Sequence, residues 1–193
     1  FETHLEKSIR CTNRGAIRQL AIEIALSNAS DNSYKDELFY LEFGVWKGES
    51  ANFFSKYVDK FYAFDSFKGL PEDWEGRQLK GRFNLDGKIP KLNSNVFPIV
   101  GYVENTLDDF LRKYNPKIMF VHIDMDLYNP TKFTLEKIKP YLAKDAIILF
   151  DELYNYINWK EGEYKALKEV FRDDEYIYKS FNINDLQAFI QVI

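Results

Sequence analysis

Four carboxylates stand in two short groups, Asp124 and Asp126 in HIDMDLY and Asp151 and Glu152 in FDE. Each group follows an apolar run, IMFVHI (118–123) and AIILF (146–150). The acids therefore emerge at the ends of two strands that should be neighbours. Gathering carboxylates costs free energy unless a cation neutralises them. Oxygen-only ligands favour a hard ion such as Mg²⁺ or Ca²⁺. Helix capping is the competing role; Asp126 or Asp151 could each serve it, but it does not account for all four. His122 lies inside its strand and reads as a packed core or pocket histidine turned away from the acids.

A second constellation lies upstream. EFGVWKGES (42–50) places Gly44 and Gly48 between a strand and a helix. Glycines there let a backbone approach a ligand closely, and the helix start suits an anionic group. Asp65 ends the next strand, about twenty residues on, where an acid can accept hydrogen bonds from both hydroxyls of a ribose. The third glycine of the dinucleotide fingerprint is missing, which disfavours a nicotinamide enzyme.

These groups need a scaffold, and the pattern of apolar runs supplies one. Strands are expected at Leu38–Phe43, Phe61–Phe64, Val96–Val100, Ile118–Ile123, Ala146–Phe150, Tyr176–Phe181 and Ala188–Val192. Helices are expected at Ala16–Leu26, Ser50–Tyr57, Asn105–Tyr114, Thr131–Leu142 and Glu163–Phe171. Alternating strands and helices imply an α/β fold, a mostly parallel seven-stranded sheet with helices on both faces. The last two strands form a hairpin, so the final strand is antiparallel. Ligands of such sheets bind beyond the carboxyl ends of the strands, where both constellations fall. Residues 68–95 break the rhythm with Pro71, Trp74, Gly76, Gly81, Gly87 and Pro90. A loop of that length reads as a lid or substrate wall.

Composition narrows the function classes. The 193 residues suit one domain, residues 1–193. Net charge is −4 with the signs interspersed, so the basic face of a nucleic-acid binder is missing. Cys11 is the lone cysteine and cannot form an internal disulfide or a CxxC zinc site. No apolar run reaches the ~20 residues that span a bilayer. The expectation is a cytoplasmic protein acting on a small molecule, without nucleic acid or membrane partners, and with a homo-oligomer left open. A first residue of Phe rather than Met is consistent with a trimmed chain.

The residues above carry a family resemblance. LEFGVWKGES (41–50), FDSFKGLPEDW (64–74), GRF (81–83), VGYVENTL (100–107), HIDMDLYNPT (122–131) and FDE (150–152) run in the order seen in the macrocin O-methyltransferase family. Those are class I S-adenosylmethionine-dependent enzymes that act on sugar hydroxyls. The resemblance implies a Rossmann-like methyltransferase fold and a metal-dependent methyl transfer to a hydroxyl. It places Glu42, Gly44, Gly48 and Ser50 at the methionine end of the cofactor. Asp65, with Ser66 beside it, would hold the ribose, and Gly101 and Tyr102 would lie near the adenine. It assigns Mg²⁺ to Asp124, Asp151 and Glu152, with Asp124 also against the cofactor and Asp126 as general base. The roles of Asp124 and Asp126 are exchangeable on spacing alone. Two departures stand out: Glu152 where the family has aspartate, and Glu49 where it has a small residue. An O-methyltransferase for catechols or vicinal diols, and a non-catalytic cofactor-binding module, are the rival readings.

Overall fold

The computed structural model describes residues 2–32, 37–74 and 76–193. Among these residues, eight strands form one sheet: β1 (Ile9–Cys11), β2 (Leu38–Phe43), β3 (Phe61–Asp65), β4 (Val96–Val100), β5 (Lys117–Ile123), β6 (Leu142–Phe150), β7 (Tyr176–Asn182) and β8 (Ala188–Val192). Their order is β1-β7-β8-β6-β5-β2-β3-β4. Only β8 runs antiparallel, against both β6 and β7. This is the expected Rossmann-like α/β architecture with one strand more than expected. The addition, β1, is three residues long and pairs at the sheet edge with β7. IRC is too short and too exposed to show alternation in sequence, as is the short helix α1 (Glu2–Lys7) before it.

Five further helices cover the faces: α2 (Arg14–Asp31), α3 (Glu49–Phe54), α4 (Val103–Tyr114), α5 (Tyr128–Ile138) and α6 (Glu163–Val170). Asn13 caps α2, its side chain accepting from the Ala16 N–H at 2.8 Å. Helix α5 begins and ends earlier than the periodicity suggests. Pro130 is tolerated in its first turn, where N–H groups have no intrahelical partner. Pro140 stops it, and one 3₁₀ turn (Lys139–Tyr141) leads directly into β6.

Strand alternation divides the core in two. On β2, Phe39, Leu41 and Phe43 join the α4–α6 side with Leu107, Phe110, Leu135 and Leu167. Tyr40 joins the other side, with Ile17, Ile22 and Phe54 of α2 and α3. Glu42 shares Tyr40's parity, and its register partner on β5 is His122. Two polar residues thus face the α2–α3 side side by side, both fully buried.

The chain runs β2, β3, β4 outward in one direction, then returns to place β5 on the other side of β2. The resulting crevice between β2 and β5 is where an open α/β sheet accepts ligands. Its two walls touch through main chain. Gly44 has φ +88°, and a Cβ there would lie 1.7 Å from the Asp124 carbonyl oxygen. The glycine is thus required by the contact between two loops, whereas the sequence suggests only approach to a ligand.

Gly44→Ala is therefore expected to destabilise the fold by at least ~2 kcal/mol, combining a left-handed φ with a backbone clash. Gly76→Ala, at φ +73° but with open space around the new Cβ, should lose only about 1 kcal/mol. Urea unfolding of the two variants measures the difference. Equal losses would mean that the Gly44–Asp124 contact carries no weight.

Candidate active site

The crevice opens into a cavity of about 430 Å³ at the carboxyl ends of β2, β3, β5 and β6. Gly44, Ser50, Asp65, Ser66, Gly101, Tyr102, Asp124, Asp126, Asp151 and Glu152 all line it. Two of the expected site residues do not. Gly48 starts α3 with φ +78°, and its Cβ position faces Leu92 at 2.5 Å, so it serves packing against the long loop. Glu42 lies in the sheet beneath the cavity, bound to His122.

Asp65 has more partners than its sequence position suggests. Its Oδ2 accepts the Val45 and Trp46 N–H groups, both at 2.8 Å, and its Oδ1 accepts the Phe67 N–H at 2.7 Å. The carboxylate thus holds the glycine turn in shape. With about two acceptor sites per oxygen, Oδ1 keeps room for one ligand hydroxyl rather than the two expected. Ser66 is buried and accepts the Lys68 N–H at 3.1 Å. Gly101 donates its N–H to the Asp65 carbonyl at 3.0 Å, and Tyr102 starts α4 at the rim.

The acids at the ends of β5 and β6 do converge, but in two groups. Among the described residues, Asp124, Asp126 and Glu152 offer ligand atoms within 4.8 Å of one another, and so do His122, Asp124 and Asp151. The expected trio of Asp124, Asp151 and Glu152 is not itself one of these sets. The division follows from α2, which directs two arginines at Asp151: Arg14 Nη1 at 2.9 Å and Arg18 Nη2 at 3.2 Å. Asp126 takes a left-handed φ of +63° to turn its side chain inward.

His122 corrects the sequence reading. It does not face away from the acids. Its Nδ1 lies 2.7 Å from Glu42 Oε1 and its Nε2 3.5 Å from Asp151 Oδ1. Burial would lower its pKa, but the two carboxylates raise it to about 9. Burial would likewise raise Asp151, but His122, Arg18 and Arg14 hold it well below the usual carboxylate range. Asp126 is raised to about 7, by burial first and by Asp151 second. Burial and the same neighbour push Asp124 and Glu152 well above their ordinary range.

Three contributors escaped the sequence reading. Arg14 and Arg18 stand one helical turn apart after a capping Asn13, a spacing that places both on one face. Glu163 is fully buried at the start of α6 and accepts the Glu152 N–H at 2.9 Å. Its role comes from the fold, and no local signal announces it. The 68–95 stretch, described except for residue 75, is folded onto the site rather than loose. Leu70 and Trp74 pack on Leu127, the Leu70 N–H donates to the Arg82 carbonyl at 2.9 Å, and Trp74, Gln78 and Phe83 line the cavity.

Residues 41–153, the span of both constellations, match the model of a methyltransferase domain family. The chain belongs to that family. The fold of this methyltransferase domain recurs in solved structures. The calicheamicin methyltransferase CalS11 is 24% identical, with a TM-score of 0.69 over 89% of this chain and 77% of that one. A second structure of it, also 24% identical with a TM-score of 0.64 and the same coverage, is described as an apo TDP-rhamnose 3′-O-methyltransferase. The O-methyltransferase NovP is 17% identical, with a TM-score of 0.64 over 91% of this chain and 78% of that one. MycE, solved with Mg and SAH, is 14% identical, with a TM-score of 0.53 over 86% of this chain and 48% of that one. No curated protein matches the chain. Among the described residues, no helix is long and apolar enough to cross a membrane. This methyltransferase thus has the fold of S-adenosylmethionine-dependent O-methyltransferases.

The charge balance of the site predicts a pH dependence. Between the ordinary carboxylate range and neutrality, the folded metal-free chain binds more protons than the unfolded one, because Asp124, Asp126 and Glu152 are raised. Stability then falls as pH rises through that window. His122, raised to about 9, adds a loss in the same direction above its ordinary value. Asp151, lowered, stays ionised throughout and contributes no slope. Calorimetry in EDTA should show a melting temperature several degrees lower at about pH 8.5 than at about pH 5.5. Adding Mg²⁺ should stabilise more at the higher pH, since the ion competes with protons. A profile that rises with pH would overturn this account of the acids.

Proposed function

We propose that this methyltransferase domain, as a single domain over residues 1–193, transfers a methyl group from S-adenosylmethionine to a hydroxyl of a sugar or glycosylated metabolite, with a divalent cation, Mg²⁺ by preference. The observation that carries the reading is the junction of a glycine turn held by Asp65 with a buried group of oxygen donors in one cavity. The similarity in fold to O-methyltransferases supports it, and so does the order of motifs shared with the macrocin O-methyltransferase family.

The residues present fit both groups. Gly44, Ser50, Asp65, Ser66, Gly101 and Tyr102 would hold the cofactor along the ends of β2–β4. The buried Glu152 Oε2 has no hydrogen-bond partner, and it belongs to a set of three acids. A hard cation satisfies such a set, which offers oxygen donors only. Asp124, shared by both sets, and Glu152 would hold the ion, and Asp151 borders it while paired to its arginines. When bound, the cation supplies positive charge that lowers the pKa of an acceptor hydroxyl.

The protein's own part is alignment and proton removal. An activated sulfonium methyl needs little more than in-line placement against a nucleophile. The close main-chain contact between Gly44 and Asp124 would fix the distance between the two. Asp126, buried in the cavity beside Asp124 and Glu152 and without an ion-pair partner among the described residues, would serve as the base. It accepts the hydroxyl proton as the oxygen–carbon bond forms and the sulfur–carbon bond breaks.

EDTA is expected to abolish turnover, with Mg²⁺ or Mn²⁺ restoring it, while adenosylhomocysteine binding survives in calorimetry. Glu152→Gln should raise the Mg²⁺ concentration required. Asp126→Asn should lower the rate at saturating metal by about 10²–10⁴-fold. Full activity in chelator-treated protein would remove the metal from the mechanism. Failure to bind adenosylhomocysteine at all would remove the cofactor assignment.

A further inference from the structure

Arg77 stands at the cavity in an arrangement that the methyl-transfer reading leaves unused. It belongs to a tight turn in which the Trp74 N–H donates to the Gln78 carbonyl at 2.8 Å and the Arg77 N–H to the Trp74 carbonyl at 3.0 Å. The turn is anchored, since Trp74 is buried against Leu70 and Leu127. Just before the turn, Glu72 accepts from Asn129 Nδ2 of α5 at 3.3 Å. The guanidinium lies in the corner between two nearly perpendicular rings, 4.3 Å from the Trp74 centroid and 4.7 Å from that of Tyr156.

Arg77 lines the cavity, and its residue is exposed. Its guanidinium has no ion-pair or hydrogen-bond partner among the described residues, in contrast to that of Arg14, which is tied to Asp151 and Asp185. Arg77 shares that cavity with Asp126 and Glu152. Contact with two rings holds a guanidinium in place without engaging its forked N–H groups in an ion pair. A fork held in that way beside a reacting centre matches the two oxygens of a phosphoryl or carboxylate group.

We propose that Arg77 is an anion-binding residue for the acceptor, which carries a phosphoryl or carboxylate group close to the hydroxyl that is methylated. The inference rests on the methyltransferase reading and narrows its substrate class. The sugar is presented as an activated or acidic sugar, and a neutral glycoside lacks the group that Arg77 holds. Trp74 and Tyr156 act as positioning residues that keep the fork at the cavity.

The test uses the full chain with adenosylhomocysteine and Mg²⁺ present, titrated by calorimetry with glucose 1-phosphate, glucuronate and methyl glucoside. The wild type should bind at least one of the two anions on the order of tenfold more tightly than the neutral glucoside. The tighter of the two shows whether phosphoryl or carboxylate is preferred. Arg77→Gln should erase the preference. Arg77→Lys should recover it only in part, because an ammonium cannot make the paired contact. Adenosylhomocysteine affinity should be the same in all three proteins, which also reports that each is folded. Equal binding of the three probes, binding of none, or a preference that survives Arg77→Gln overturns the proposal. Loss of adenosylhomocysteine binding in the wild type would count instead against the methyltransferase reading. The Arg77 comparison would then still be decided without the nucleoside.

Discussion

The site depends on how negative charge is kept buried at the ends of β5 and β6. Asp124, Asp126, Asp151 and Glu152 meet there, with Glu163 behind them and Glu42 below. In a low-dielectric interior such a gathering is unfavourable unless each charge is paired, protonated or coordinated. The protein uses pairing for only part of it. Helix α2 delivers Arg14 and Arg18 to Asp151, and β5 delivers His122 between Asp151 and Glu42. Asp124, Asp126 and Glu152 receive no basic side chain within ion-pair distance among the described residues. That imbalance separates a structural half of the cluster from a half left for chemistry.

Much of the remaining architecture can be understood as support for the imbalance. The parallel order of β2, β5 and β6 brings the three strand ends to one edge. The alternation along β2 and β5 sends Glu42 and His122 to the α2–α3 face, where they form a buried pair. Glu163 fixes the backbone at Glu152 from α6. The long loop adds Trp74 and Phe83 to the lining of the cavity.

Much of this was legible in the sequence where a pattern repeats or a residue type is chemically unusual. Three strands, Leu38–Phe43, Val96–Val100 and Ala188–Val192, have the bounds that the apolar runs suggest. The acids were visible because charge rarely follows directly on five or six buried apolar residues. What stayed hidden depends on pairing across the chain. Arg18 and Asp151 lie 133 residues apart, and nothing local to either announces the other. His122 was misjudged because parity along β5 says which face it takes but not what waits there. The β-bulge between Ile118 and Phe120 also shifts that parity within the strand. Strand β1 is too short to carry a period at all.

The contact between Gly44 and the Asp124 carbonyl has a further meaning for how such a site can change over time. The gap between the cofactor wall and the acidic wall is a main-chain dimension, fixed where two loops meet without side chains between them. Lining side chains that brace neither loop can be exchanged without moving the walls; Asp65, which holds the glycine turn, is not one of them. The side chain of Glu152 takes no part in that main-chain contact, so its length leaves the frame alone. The lining that Trp74 and Phe83 supply comes from a separate loop, outside that contact. The chain thus separates a frame with almost no tolerance from a lining with a good deal, and one glycine marks the boundary.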